Sequence, residues 1–229
     1  MQNTVSIKGT FLDNNKTCVR FSHSAANLGF IFDELLSCKE QVRKVVTTCF
    51  MTIKNLSKIR AYLSVSDLKT LVCSLILSRI DYCNSLYYGI NSDVIGGLQS
   101  VQNSAAKLIY GKRKFDHVSG LISDLHWLKV NQRITFKILI LVHNCLYVDN
   151  FVFPLKDLVV VLNKRGMILT IPNHFTSFGR RAFAFVGPKM WNSLPIGFRL
   201  DPSLQSFKGK LKHYLFNNFH AFSQVFNQI

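Results

Sequence analysis

Carboxylates are scarce in this chain: 12 Asp and Glu stand against 28 Lys and Arg in 229 residues, a net charge of +16. Chemistry that needs acids in close pairs is therefore poorly supplied, and the only adjacent pair is Asp33-Glu34. Long apolar runs are missing too. Leu71 to Leu77 is interrupted by Ser74 and closed by Lys69 and Arg79, and Ile138 to Val142 runs straight into His143-Asn144. Both fall far short of the roughly 20 residues a membrane span needs, so no membrane partner is expected. The opening Met1-Gln2-Asn3-Thr4 has no basic segment followed by an apolar one, so no signal peptide is expected. Six cysteines (Cys18, Cys38, Cys49, Cys73, Cys83, Cys145) include no C-x-x-C, and His143 with Cys145 lacks a second pair to complete a zinc site. They read as reduced core residues of an intracellular protein, nuclear or cytoplasmic and not secreted. With 48% hydrophobic residues and 19 Phe, the composition is that of a folding chain.

The period of the apolar residues divides the sequence. Val5 to Phe11, a turn at Asp13-Asn14-Asn15, Thr17 to Ser22, and then Leu28 to Asp33 read as a small hairpin plus one strand. After Ser37 the spacing becomes helical: Val42, Val45, Val46, Cys49, Phe50, Ile53 and Leu56 share one arc, while Lys39, Arg43, Lys44, Lys54 and Lys58 fall mostly on the other. A second helix is predicted from an N-cap at Ser66 to a stop at Gly89, and a third over Ser92 to Tyr110 ending at Gly111. Further helices are predicted at Val118 to Leu125, Gln132 to Tyr147, Arg180 to Ser193 and Ser203 to Phe219. Val159 to Leu162 reads as strand and Asn163 to Gly166 as turn. The fold class is mainly α, with a small N-terminal β hairpin or strand ahead of a helical bundle.

No catalytic constellation is evident. A template-directed polymerase holds two divalent metals between converging carboxylates, and no aromatic-x-Asp-Asp turn occurs here. Asp33 reads as the cap of the turn after its strand, and Asp81, inside a helical stripe, as the partner of an arginine or a helix end. G-x-S-x-G, paired histidines at i and i+4, and a phosphate loop after Gly96-Gly97 are all absent from the sequence. The chain is expected to be no enzyme and to carry no cofactor and no metal.

Binding of polyanions is better supplied. From Leu158 to Ile229 nine basic residues face one acid, Asp201, so this tail holds +8, half of the total. Candidate phosphate contacts are Lys39, Arg43, Lys54 and Lys58 on the first helix, the Lys112-Arg113-Lys114 cluster, Arg180-Arg181, and Lys208, Lys210 and Lys212. The same three residues, Lys112 to Lys114, also suit a nuclear-entry signal. Phe183, Phe185, Trp191, Phe207, Tyr214 and Trp127 have spacings that suit a core better than base stacking.

Several ordered motifs add to this reading: Arg79-Ile80-Asp81-Tyr82-Cys83-Asn84, Leu98-Gln99-Ser100-Val101-Gln102-Asn103-Ser104-Ala105-Ala106, Leu125-His126-Trp127-Leu128, Trp191-Asn192-Ser193-Leu194-Pro195, and Ser206-Phe207-Lys208-Gly209-Lys210-Leu211-Lys212. Together they resemble the C-terminal end of the reverse transcriptase of a non-LTR retrotransposon of the jockey-like LINE kind. The resemblance covers nearly the whole chain. It implies that Leu28 to Asp33 looks like the strand that grips the primer end and that the helices behind it look like the thumb. Leu12-Asp13-Asn14-Asn15-Lys16-Thr17 resembles the Leu-Asn-x-x-Lys-Thr stretch near the end of the palm, with Asp13 in place of Asn. It further implies three parts: residues 1–36 as a small β segment like the end of the palm, 37–150 as a helical thumb-like domain, and 151–229 as a basic C-terminal helical segment. The endonuclease, fingers and catalytic palm have no counterpart, as in copies truncated at the 5′ end on insertion. The expectation is a noncatalytic C-terminal fragment of an RNA-directed DNA polymerase that binds template-primer nucleic acid, its partners being RNA or an RNA–DNA hybrid and the missing palm and fingers portion. Two alternatives stay open: a host structural or interaction protein using basic amphipathic helices, and a non-functional retroelement remnant.

Overall fold

Mixed hairpins and helices follow one another in the order the sequence periods suggest, with differences at the junctions. The computed structural model describes residues 11–12, 18–19, 22–113, 115–148, 153–174 and 176–224. Strands β1 (Phe11–Leu12) and β2 (Cys18–Val19) pair antiparallel, Phe11 opposite Val19. The expected turn at Asp13-Asn14-Asn15 and strand start at Val5 lie outside the described residues. A second hairpin was not expected: β3 (Ser24–Asn27) pairs antiparallel with β4 (Phe30–Asp33), Asn27 opposite Phe30. Leu28-Gly29, read from sequence as the start of a strand, is its two-residue turn. Both residues have positive φ, 48° and 83°, the backbone form whose twist suits a tight hairpin.

Asp33 caps the exit from β4. Its carboxylate oxygens accept the backbone N–H of Ser37 and of Cys38, each at 2.8 Å. Burial pulls the carboxyl pKa up, but the hydrogen bonds from Ser37 and Cys38 together outweigh it and leave it below the ordinary value. Helix α1 (Lys39–Ile59) follows and buries Val42, Val45, Cys49 and Leu56, the arc its period marks. Gln41 Oε1 accepts the N–H of Ile31 at 3.0 Å, which fixes β4 against α1.

Arg60–Tyr62 closes α1 as a 3₁₀ turn, and Ser64 caps α2 (Val65–Val72), its hydroxyl accepting the N–H of Asp67. The helix does not run on to Gly89. It passes through a π turn at Cys73–Leu77 into α3 (Ser78–Asp81), then breaks where Tyr82 turns extended and Cys83 adopts φ 51°. A 3₁₀ turn at Asn84–Tyr87 leads to α4 (Ser92–Tyr110), which has the predicted bounds, with Asn91 capping its start and Gly111 its end. Helices α1 and α4 pack together and run parallel. Gly97, near the start of α4, lies against Val42 and Val46 of α1, whereas Arg60, beyond the end of α1, reaches the last carbonyls of α4.

Helix α5 (Ser119–Asp124) and a bend at His126 lead to α6 (Val130–Tyr147), which packs on α4 and on the C-terminal helices. After α7 (Phe153–Lys156), a short antiparallel pair, β5 (Val161–Asn163) and β6 (Ile168–Leu169), occupies the stretch read as strand and turn. The single helix expected over Arg180 to Ser193 is two: α8 (Ser177–Arg181) and α9 (Phe183–Asn192), parted by extended Ala182. Gly187 lets α9 approach α6, since a Cβ there would meet Val142 Cγ2 at 2.9 Å. A short α10 (Ile196–Arg199) precedes α11 (Leu204–Gln224), which lays Phe207, Leu211 and Leu215 on the core. The molecule is thus mainly α-helical, with two small N-terminal antiparallel pairs and a separate β pair further on. Among the described residues, no helix is long and apolar enough to cross a membrane.

Candidate nucleic-acid interface

The parallel packing of α1 and α4 brings both carbonyl ends to one place, and cations gather there. Arg60 donates from Nε to Leu108 O at 2.8 Å and from Nη2 to Ile109 O at 3.3 Å, so its guanidinium caps α4. It also fits over Gly111, where a Cβ would lie 2.6 Å from Nη2. Lys54 and Lys58 of α1 and Lys112 and Arg113 after α4 are exposed at this same end. Each helix contributes about half a negative charge from its C-terminal carbonyls, which favours some of this positive charge but does not balance it. Removing the cap is expected to loosen the end: Arg60→Met should cost about 1–2 kcal/mol by urea titration. An unchanged midpoint would show that the guanidinium adds nothing beyond its stem.

Along α1 the exposed face holds Lys39, Arg43, Lys44, Lys54 and Lys58 against one acid, Glu40. Lys39 and Lys58 are 19 positions apart, about 28 Å of helix at 1.5 Å per residue. Phe50 and Met51, 40% and 56% exposed, sit between the two groups of cations.

The remaining candidates divide. Lys208 and Lys212 are exposed and four residues apart on α11, hence on one face. Lys210 pairs with Asp201 at 2.7 Å. Arg181 is engaged inside the fold, donating from Nε to Tyr88 O at 3.3 Å and from Nη2 to Leu36 O at 2.9 Å. Arg180 is half-buried, with its Nε unpartnered among the described residues. Lys114 lies outside the described residues. What the sequence reading missed is a third cationic row, Lys129, Arg133 and Lys137, whose i, i+4, i+8 spacing along the start of α6 was there to be seen.

The motif residues themselves mostly hold the fold. Gln99 donates from Nε2 to Gln102 Oε1 at 3.0 Å and Asn103 Oδ1 at 2.9 Å and accepts Val130 N–H at 3.0 Å. Gln102, fully buried, donates to Leu128 O at 2.8 Å. Gln132 accepts the Lys129 N–H at 2.7 Å and donates to Leu215 O at 2.9 Å, joining α6 to α11. Asp81 pairs with Arg133 Nη1 at 2.6 Å, the arginine partner the sequence suggested. Asn192 accepts from Leu169 N and donates to Leu169 O, both at 2.8 Å, and so extends β6 as another strand would. Among the described residues, no group of three His, Cys, Asp or Glu side chains could hold a metal ion.

This is a helical, strongly cationic protein. No family model matches the chain, and no curated protein or solved structure matches it either. The labels that the motif resemblance carried are corrected on that finding: reverse transcriptase, RNA-directed DNA polymerase, LINE or other non-LTR retrotransposon, and transposable element do not stand as descriptions of this chain.

Proposed function

We propose that this chain is a noncatalytic nucleic-acid binder whose cationic helices hold RNA or an RNA–DNA hybrid by its backbone. The observation that carries the reading is the exposed face of α1, with five cations to one acid and continuous at its far end with Lys112 and Arg113. Contacts of this kind gain affinity from counterion release and are blind to sequence. Three acids are engaged away from this face, Asp33 on a turn, Asp81 on Arg133 and Asp201 on Lys210, while Asp116, beside the cluster, accepts the Arg113 N–H at 2.7 Å.

Retardation of a labelled hybrid tests this. Affinity is expected to fall steeply with salt, and Lys54→Gln with Lys58→Gln to lower the slope of log K against log[salt] by about one per lost phosphate contact. Incorporation of nucleotides by the chain alone with a divalent metal would overturn the noncatalytic reading. A second reading, an interaction protein, is favoured by the apolar residues Leu28, Leu35 and Leu36, which are 88%, 66% and 47% exposed, the Leu28 carbonyl accepting the Tyr82 hydroxyl. Indifference to the hybrid at low salt selects it.

A further inference from the structure

Where α3 ends, a cleft of about 320 Å³ opens against the Leu125–Leu128 bend, α6 and α11. Its volume lies in the range of small-molecule sites, about 300–1,000 Å³. Three cations line it, Arg133, Lys137 and Lys212, and one carboxylate, Asp81. Lys137 stands one helical turn beyond Arg133, so the two share a face of α6, while Lys212 comes from α11. Arg133 is held in place, its Nε donating to Leu128 O at 2.9 Å and its Nη1 to Asp81, which leaves Nη2 with no partner among the described residues. Trp127, Leu128 and Phe136 supply apolar walls, and such walls concentrate the field of the charges between them.

One lining group keeps an unpaired acceptor that is closed to solvent. Asn84 is only 2% exposed; its Nδ2 donates to Asp81 Oδ1 at 3.3 Å, and its Oδ1 has no partner among the described residues. Turning the amide over would set its oxygen against the Asp81 carboxylate, so the acceptor stays directed away from it. Buried polar atoms without a partner are few in folded proteins, and each needs a cause. A larger cleft that also touches Trp127, about 540 Å³, has Lys129 as its only charged lining residue among the described residues and lacks this combination.

We propose that the smaller cleft is a nucleotide site: Arg133, Lys137 and Lys212 receive a phosphate monoester, and the apolar walls of Trp127, Leu128 and Phe136 take the attached nucleoside. This goes beyond the hybrid-binding reading and does not depend on it. The test uses the full chain and 5′-AMP, 5′-GMP, 5′-CMP and 5′-UMP, followed by calorimetry and by the change in tryptophan fluorescence, with adenosine and inorganic phosphate as controls. Nucleotide is expected to bind at least tenfold more tightly than adenosine or phosphate. Lys137→Gln with Lys212→Gln should weaken it about a hundredfold, near tenfold for each charge-assisted contact. Both lysines are exposed, so the variant should melt where the parent does. Equal binding of adenosine and 5′-AMP, equal binding of phosphate and 5′-AMP, or an unaltered double variant would overturn the proposal. Failure here with the hybrid still retarded removes the nucleotide site alone; nucleotide binding without retardation removes the hybrid reading alone.

Discussion

Trp191→Ala is expected to remove a large part of the stability of this chain, about 3–5 kcal/mol out of the roughly 5–15 kcal/mol that a domain possesses. The indole is fully buried, with its ring centroid 6.3 Å from that of His143 and 5.6 Å from that of Phe207. It therefore fills the space where α6, α9 and α11 meet. Its Nε1–H donates to Met167 O at 2.8 Å, just before β6, so truncation also leaves that carbonyl without its partner. Trp191→Phe separates the two contributions: it keeps an aromatic ring and loses the donor, and should cost clearly less than the alanine variant. Chemical denaturation with both variants reads the difference. A loss under about 1 kcal/mol for alanine would mean that the site collapses around the cavity, and that Trp191 is not the joint between the helices and the β5–β6 pair.

That joint explains why the Trp191-Asn192 motif was legible as sequence while its purpose was not. A period of 3.6 marks which residues face inward, and for α1 and α4 it placed the buried arc well, with the Asn91 and Gly111 caps setting both ends of α4. It carries no information on what a side chain reaches across space. Asn192 completing the edge of β6, Gln102 holding Leu128 O and Arg60 capping a helix it does not belong to are all such cases. The junctions were hidden for local reasons. Leu28 sits at a positive φ usually left to Asn, Asp or Gly, so the hairpin turn has no sequence signature. The π turn at Cys73–Leu77 and the break at Ala182 interrupt helices without a glycine or proline at the break. The cations of α6 went unread for a further reason. Arg133 and Lys137 are spread through a helix whose other residues are largely buried, and only the folded chain sets them beside Lys212.

Acid should unfold the molecule in two windows, and His143 accounts for the upper one. Burial, the largest influence, pushes its pKa below the ordinary histidine value; the hydrogen bond to Asp201 O at 2.9 Å and the Asp201 charge oppose this, and Lys208 adds to it. The ring lies between Phe207 and Tyr147, at centroid distances of 4.5 and 4.8 Å, and Nδ1 has no partner among the described residues. A second proton would thus be buried without an acceptor. A depressed folded pKa means that the unfolded chain binds the proton more readily. The stability is therefore complete above about pH 6.5 and is lost as pH falls through the folded value. Each tenfold weakening of proton affinity is worth about 1.4 kcal/mol, or roughly 3–6 °C of Tm in a chain of this size. The lower window belongs to Asp201, held down to about 2 by its hydrogen bonds from Lys210 and Ser206, and to Asp33, which burial pulls up but its bonds from Ser37 and Cys38 hold below the ordinary value. Both contributions persist above the ordinary aspartate value and fade as pH falls through the folded values. Melting curves from pH 7 to pH 2 should show both declines, and His143→Gln, which keeps a donor for Asp201 O, should flatten the upper one and leave the lower. If the variant and the parent lose Tm in parallel between pH 7 and 5, the buried imidazole is not the titrating group, and the joint of α6 with α11 does not depend on its being neutral.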